Sequence, residues 1–323
     1  MLKYLIIQLD DTSISYCHYE NSKQERKLIS LADLKAGILF AMKENLTIQF
    51  VYPNYELPDE YKAAINTIDH SKIVPIDSSE QGDVVVLNGW KELANTKIKF
   101  DVAYVLRTKK EELFNNYAII SETLPNISRL NVVVTDVNSF SEGDFVLYKD
   151  VLAALSKNVE NLYLKGLSPQ LNILTDRMML NGMNNCNAGW ENITLCPDGR
   201  FYICPAFYLA DEDEDFGLGK SKFSIGDLVN GLDIKNPQLY KLSHAPLCRN
   251  CDAYQCKRCV WLNRKMTYEV NTPSHEQCVA AHLERNASRE LLIAIRKRHM
   301  SFLLETDIKE ISYLDPFEIR KEW

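Results

Sequence analysis

The sequence lacks any long uninterrupted apolar stretch. No run approaches the roughly 18–20 residues that cross a bilayer as a helix, although 46% of the 323 residues are hydrophobic. The apolar start Met1–Leu9 is followed at once by Asp10 and Asp11, without a small-residue cleavage site. We therefore expect a buried first strand instead of a signal peptide, no membrane association and a cytoplasmic location.

The sequence also lacks the signals of three other classes of protein. Lys and Arg number 37 against 44 Asp and Glu, a net charge of −7, so nucleic-acid binding has no electrostatic support. Neither a phosphate-binding glycine loop nor a hydrolase nucleophile elbow occurs, which leaves nucleotide hydrolysis and acyl transfer without candidate residues. The acidic run Asp211–Asp215 is interpreted as a solvated loop.

Cysteine is scarce in the N-terminal half, where Cys17 stands alone, and abundant after residue 185. In a cytoplasmic protein such a cluster is more often metal-binding or catalytic than disulfide-forming. Eight thiolates equal the ligand set of two four-cysteine iron–sulfur clusters. The eight are Cys186, Cys196, Cys204, Cys248, Cys251, Cys256, Cys259 and Cys278.

Up to about residue 165, short β-rich runs alternate with amphipathic helical stretches. Strands are predicted at residues 5–9, 48–52, 73–76, 83–87, 102–106, 129–135 and 161–165. Helices are predicted at residues 31–43, 58–68, 109–123 and 144–157. This alternation predicts an α/β fold with about six parallel strands in a sheet that is open or curled into a partial barrel.

After residue 170 the pattern changes. Two alternating runs flank the turn Pro197-Asp198-Gly199 and predict a hairpin with cysteine on both arms, Cys196 and Cys204. A long amphipathic helix is predicted at residues 279–300. The sequence therefore predicts an α/β domain over 1–170 and a cysteine-rich domain with a C-terminal helix over 171–323.

The densest cysteine segment places the pairs Cys248/Cys251 and Cys256/Cys259 only four residues apart. Two CxxC pairs that converge on one zinc usually have a much longer connection between them, so the spacing favours ligands shared between neighbouring iron–sulfur clusters. Zinc remains the alternative, with His244 or His275 as a substitute ligand.

The cysteine region resembles a SPASM domain, the C-terminal extension of many radical SAM enzymes that mature ribosomally made peptides. The similarity rests on Cys186-Asn-Ala-Gly-Trp190, on Pro197-Asp-Gly199 followed by Cys204, and on the connector Ile225–Leu228. The gaps within the run 248–259 are each about one residue shorter than the common pattern.

The resemblance implies two 4Fe–4S clusters and a ligand set for each. The first would be held by Cys186, Cys196, Cys204 and Cys259, and the second by Cys248, Cys251, Cys256 and Cys278. Cys196 is the least secure of these ligands, because its position varies in the family and a hairpin cysteine can simply be packed.

The signature of a working radical SAM enzyme is missing. Such an enzyme carries CxxxCxxC after its first strand, whereas the corresponding positions are Asp10, Ile14 and Cys17. Aspartate is a hard oxygen ligand and isoleucine is no ligand, so we expect no SAM cluster and no bound S-adenosylmethionine. The Gly-Gly-Glu segment expected after the second strand is replaced by Tyr52–Glu56. The alternative is that residues 1–170 form an unrelated α/β domain.

This combination resembles the CXXX repeat peptide maturase family over the whole length of the chain. The resemblance implies a maturation protein for a small cysteine-rich precursor peptide, with a separate modifying or electron-transfer protein as a second partner. It does not decide whether the chain is itself an enzyme, and no catalytic residue is assigned. The alternatives are a non-catalytic peptide-binding adaptor and a zinc-stabilised interaction protein.

Overall fold

A computed structural model describes residues 2–210 and 223–298, so the acidic run Asp211–Asp215 lies outside the described residues. The described parts of Met1–Val86 and Asn187–His244 form one compact unit, and those of Leu87–Cys186 and Ala245–Trp323 form a second. Each unit takes residues from both sides of the predicted boundary at residue 170, and that domain division stays a prediction. Within the described ranges, no helix is long and apolar enough to cross a membrane.

The first unit is built on a β-sheet. In spatial order its strands are β4 Val84–Asn88 (residues 84–86 in this unit), β3 His70–Pro75, β2 Thr47–Val51, β1 Tyr4–Gln8, β8 Asn192–Leu195 and β9 Phe201–Tyr202. They run parallel except for β9, which is antiparallel to β8. Its helices are α1 Leu31–Lys43, α2 Asp59–Ile65 and α7 Ala206–Leu209, and a small hairpin comprises β10 Gly226–Asp227 and β11 Gly231–Leu232.

Strand β1 is central to this unit because it pairs in parallel with both β2 and β8. Its Leu5 and Ile7 are fully buried. Helix α1 packs closely over the sheet at Gly37, where an added Cβ would lie 2.4 Å from Leu195 Cδ2. Glycine therefore permits the close approach of helix and strands.

The predicted hairpin is confirmed as the antiparallel pair β8 and β9. The Cys196 amide donates to the Arg200 carbonyl at 3.0 Å, and the Gly199 amide donates to the Cys196 carbonyl at 3.0 Å. Gly199 has a φ of +76°, a left-handed conformation that glycine adopts without a side-chain penalty. The turn thereby places Cys196 and Cys204 at the ends of the two arms.

The second unit contains three parallel strands, β5 Ala103–Thr108, β6 Arg129–Val134 and β7 Gln170–Leu171. Its helices are α3 Trp90–Asn95, α4 Lys110–Thr123, α5 Glu142–Leu164, α6 Asp176–Met179, α8 Val260–Thr267 and α9 His275–Lys297. Helix α5 packs against α9, where the Tyr148 hydroxyl donates to Glu284 Oε1 at 2.7 Å.

The predicted α/β class with its series of parallel strands is confirmed. The strand predicted at residues 161–165 is wrong, because α5 continues to Leu164 and the next strand is β7. Helix α5 begins with a capping box between Ser141 and Asp144. The last predicted helix begins earlier, at His275, where the Ser274 hydroxyl caps it by accepting from the Gln277 amide. Its predicted end at residue 300 lies outside the described residues.

Candidate metal centre

The loop after β1 is closed by hydrogen bonds to the fully buried carboxylate of Asp10. Asp10 Oδ1 accepts from the Thr12 amide at 2.8 Å and from the Thr12 hydroxyl at 2.6 Å, while Oδ2 accepts from the Tyr55 hydroxyl at 2.8 Å. Burial and this bond raise the pKa of Tyr55. Both carboxylate oxygens therefore serve the architecture of the loop.

The residues of this loop do not fit a three-thiolate cluster. Ile14 is apolar, and its amide donates to the Tyr52 carbonyl at 3.2 Å, which ties this loop to the segment after β2. Cys17 is half-buried and is the only thiol of the loop. The loop therefore lacks the donor set of such a cluster.

The hairpin thiols Cys196 and Cys204 interact electrostatically within the first unit. Cys196 is fully buried, and burial together with the negative charge of Asp198 raises the pKa of its thiol. The positive charge of Lys23, a smaller effect, lowers the pKa of Cys196. Its ammonium lies 3.3 Å from Asp11 Oδ2 and 3.0 Å from the centre of the Tyr208 ring.

Four cysteines of the second unit form a mutually coupled group, which we call the thiol quartet: Cys248, Cys251, Cys256 and Cys278. Tight turns place the first three, with the Cys251 amide donating to the Cys248 carbonyl at 3.0 Å. Cys278 lies in the first turn of α9. The quartet coincides with the ligand set predicted for the second cluster.

Two backbone amides point at sulfur atoms of the quartet. The Ala253 amide donates to Cys251 Sγ at 3.4 Å, and the Arg258 amide donates to Cys256 Sγ at 3.4 Å. Both bonds run from the second residue after the cysteine. Hydrogen bonds of this kind stabilise thiolate ligands and tune the potential of a bound cluster.

Burial disfavours the thiolate forms of three members of the quartet, Cys248, Cys256 and Cys278. Burial, followed by the influence of neighbouring charges, raises the pKa of Cys248 to about 11 and that of Cys256 to about 12. Burial and the charges of Cys256, Cys248 and Cys251 also raise the pKa of Cys278. A metal cation would reverse these effects, because it stabilises each thiolate directly.

Helix α9 also places an imidazole beside the quartet. His282 lies one helical turn after Cys278, and its Nε2 lies 3.4 Å from Cys251 Sγ. Burial and the charge of Arg285 lower the pKa of His282 to about 4, so the ring is neutral at pH 7. The predicted substitute ligands are placed differently. His244 is exposed beside Ser243, and His275 contacts Glu276 and the Phe145 ring.

Cys186 and Cys259 form a separate pair in the second unit. Burial, and next the charge of Cys186, raise the pKa of Cys259 to about 12. The Cys186 amide donates to the Lys257 carbonyl at 2.7 Å, which holds the chain before Cys186 alongside the CxxC run. The predicted first cluster joins this pair with Cys196 and Cys204 of the first unit, and that assignment stays a prediction.

The quartet fits an iron–sulfur cluster by its donor chemistry. It supplies four thiols, two of which accept amide hydrogen bonds, in a largely buried site. Across residues 2–210 and 223–298, no three His, Cys, Asp or Glu side chains already converge in the geometry of a metal site. The quartet is therefore defined by its electrostatic coupling and its sulfur hydrogen bonds, without a closed coordination sphere.

Sequence reasoning missed His282 and the buried charges near the quartet. The spacing of Cys278 and His282, four residues apart in a helix, could have indicated that both face the same side. No comparable spacing in the sequence indicated a role for Glu284. Burial raises its pKa to about 7, against the hydrogen bonds from Tyr148 and Gln255 that lower it.

The fold is similar to that of anSMEcpe, which has been solved with bound AdoMet. One structure of anSMEcpe with bound AdoMet superposes with a TM-score of 0.62 and 13% identity, covering 94% of this chain and 97% of that chain. A second structure, native anSMEcpe with bound AdoMet and Cp18Cys peptide, superposes with a TM-score of 0.59 and 13% identity. The match covers 92% of this chain and 100% of that chain. At these identities the likeness concerns the fold alone.

A weaker superposition, on Streptococcus suis SuiB bound to precursor peptide SuiA, has a TM-score of 0.39 and 12% identity over 66% of this chain and 61% of that chain. This TM-score is too low to support a conclusion about the fold. No protein-family profile and no curated protein sequence matches the chain.

Proposed function

We propose that this chain is a maturation protein for a small, ribosomally made, cysteine-rich peptide of the CXXX repeat type. It holds two 4Fe–4S clusters and has no SAM cluster in the loop after β1. The observation that carries the proposal is the thiol quartet, in which burial raises the pKa of Cys248, Cys256 and Cys278 and two sulfur atoms accept hydrogen bonds from backbone amides. The loop after β1, which is closed by hydrogen bonds to Asp10, supports the proposed absence of a SAM cluster.

The peptide partner is supported by the shared fold. The related structure of anSMEcpe was solved with the Cp18Cys peptide, so a protein of this fold can accommodate a peptide. We extend peptide binding to this chain as part of the proposal. Because the chain has no radical source of its own, a separate modifying or electron-transfer protein would supply the missing chemistry.

The number of cysteines that bind each cluster would decide whether the cluster transfers electrons or also contacts the substrate. Four thiolates on each cluster make it an electron relay, since no iron is left open. If Cys196 is only packed, one iron of the first cluster is left for a substrate thiolate. Replacement of Cys196 by Ala tests this, because unchanged iron content would show that Cys196 is not a ligand.

Anaerobic purification tests the cluster assignment. We expect a brown protein with about eight irons and about eight sulfides per chain. Co-expression with a CXXX repeat peptide should then change the mass of the peptide, and Cys251→Ala should abolish the change while Cys17→Ala preserves it. A peptide that binds but keeps its mass would favour the adaptor function.

Zinc is the second candidate, and the contact between His282 Nε2 and Cys251 Sγ at 3.4 Å favours it. Neutral imidazole together with thiolates is an ordinary zinc ligand set. In that case the protein would be colourless with stoichiometric zinc, and His282→Gln would lose the metal. If the quartet holds a cluster, His282→Gln should keep its iron, because the imidazole then only contacts a ligand.

A further inference from the structure

Arg258 lies between Cys256 and Cys259 and is fully buried, whereas its neighbour Lys257 is exposed. The backbone of Arg258 has a φ of +45°, a left-handed conformation that is uncommon for a residue with a side chain. The chain therefore turns between two adjacent cations so that one faces solvent and the other faces the interior. Burying a guanidinium is costly unless it is paired with compensating groups.

Hydrogen bonds hold Arg258 in this position. Its Nε donates to Asn185 Oδ1 at 2.7 Å, and Asn185 is 8% exposed. The amide of Arg258 donates to Cys256 Sγ at 3.4 Å. The Asn184 amide donates to the Tyr254 carbonyl at 2.8 Å, so the segment that carries Asn185 is itself fixed.

The charge of Arg258 acts on cysteines of both predicted clusters. Burial lowers its pKa, and four cysteines counter that effect: Cys248, Cys186, Cys256 and Cys259. Two of them belong to the quartet and two to the first predicted set. Arg177, which is also fully buried in this unit, differs because its Nη2 lies 3.3 Å from the Asp252 carboxylate.

We propose that Arg258 is a shared counter-charge for both sets of cysteine ligands and that it raises the reduction potential of each cluster. The inference rests on the proposed function, since it concerns the clusters that the cysteines would hold. A 4Fe–4S unit with four thiolates is negatively charged, and reduction adds one electron and one further negative charge. A fixed cation in a low-dielectric site stabilises the reduced form more than the oxidised form.

Potentiometric titration of the anaerobically purified full chain tests the proposal, with dithionite as the one-electron donor and EPR as the readout. Arg258→Gln should shift the midpoint potentials of both clusters to more negative values. Lys257→Gln, the matched control, should shift neither, because solvent screens its exposed charge. Arg258→Lys should restore most of the potential, since it keeps the charge.

A second variant keeps the test decisive if Arg258→Gln does not fold. Asn185→Asp leaves the arginine in place and sets a carboxylate against it, so both potentials should again become more negative. Wild-type potentials in either variant, or a shift in one cluster alone, would overturn the shared role. A wild-type protein without iron would refute the proposed function itself, which is a separate outcome.

Discussion

The loop after β1 and the thiol quartet both place ligand-type side chains in buried surroundings, yet they are stabilised in opposite ways. Asp10 accepts three hydrogen bonds from Thr12 and Tyr55, so its carboxylate is served by neutral donors of the protein. In the quartet, burial and the neighbouring cysteines instead raise the pKa of Cys256 and Cys278. The hydrogen bonds to Asp10 are made without a cation. The thiolate forms of the quartet, in contrast, would be stabilised by one.

The largest effect is expected from Cys278→Ala, which removes one ligand of the quartet. The remaining three thiols would leave one iron of this cluster without a protein ligand, so the cluster should become labile and iron should fall from about eight towards about four per chain. Iron and sulfide analysis of anaerobic protein measures this. Cys17→Ala is the control and should keep all the iron. Full iron content in Cys278→Ala would contradict the assignment of the quartet.

A smaller effect is expected at Glu284, whose negative charge adds to burial in raising the pKa of Cys256. Burial raises its pKa from 4.5 to about 7, so the folded protein binds this proton more tightly than the unfolded chain. The stability that results is complete below pH 4.5 and is lost as pH rises through about 7. Glu284→Gln should therefore stabilise the protein by up to about 3 kcal/mol at pH 8 and much less at pH 5.

Urea unfolding of anaerobic protein at the two pH values measures this difference. Glu290→Gln, which changes an exposed carboxylate on the same helix, should leave the stability nearly unchanged at both. An equal gain for Glu284→Gln at pH 5 and pH 8 would show that proton binding is not its cause.

The smallest effect is expected in the loop after β1. Asp10→Asn weakens hydrogen bonds that the charged carboxylate accepts, so unfolding free energy should fall by about 1–2 kcal/mol. Tyr55→Phe removes one of the three bonds and should cost about 1 kcal/mol. Both are read from urea unfolding, and iron content should stay at the wild-type value. A loss of iron on replacing Asp10 would mean that this loop does contribute to a metal site.

Local sequence patterns were sufficient for most of the fold. The strands around residues 5–9 and 48–52 and the helix at 31–43 follow from their periodicity alone. The pattern failed at residues 161–165, because a short apolar run at the end of a long helix resembles a strand. Nothing stops α5 before Gly166, which has a φ of +79°.

The candidate site was predictable only where cysteine spacing and motif carried the information. The intervals favoured ligands shared between iron–sulfur clusters, and the resemblance to a SPASM domain implied the quartet as one ligand set, which stays a prediction. His282 and Arg258 escaped because their roles depend on partners that are distant in sequence. His282 meets a sulfur 31 positions away, and Arg258 bonds to an amide oxygen 73 positions away.

The pairing of β1 with β8 has a consequence for the synthesis of the chain. Tyr4 lies opposite Asn192, so one edge of the first strand has no partner until the hairpin has left the ribosome. At about 5–20 residues per second this interval is roughly 10–40 s. During that time Leu5 and Ile7 lie beside an unpaired strand edge, a surface prone to association. A fragment cut at residue 170 would keep that edge of β1 unpaired permanently.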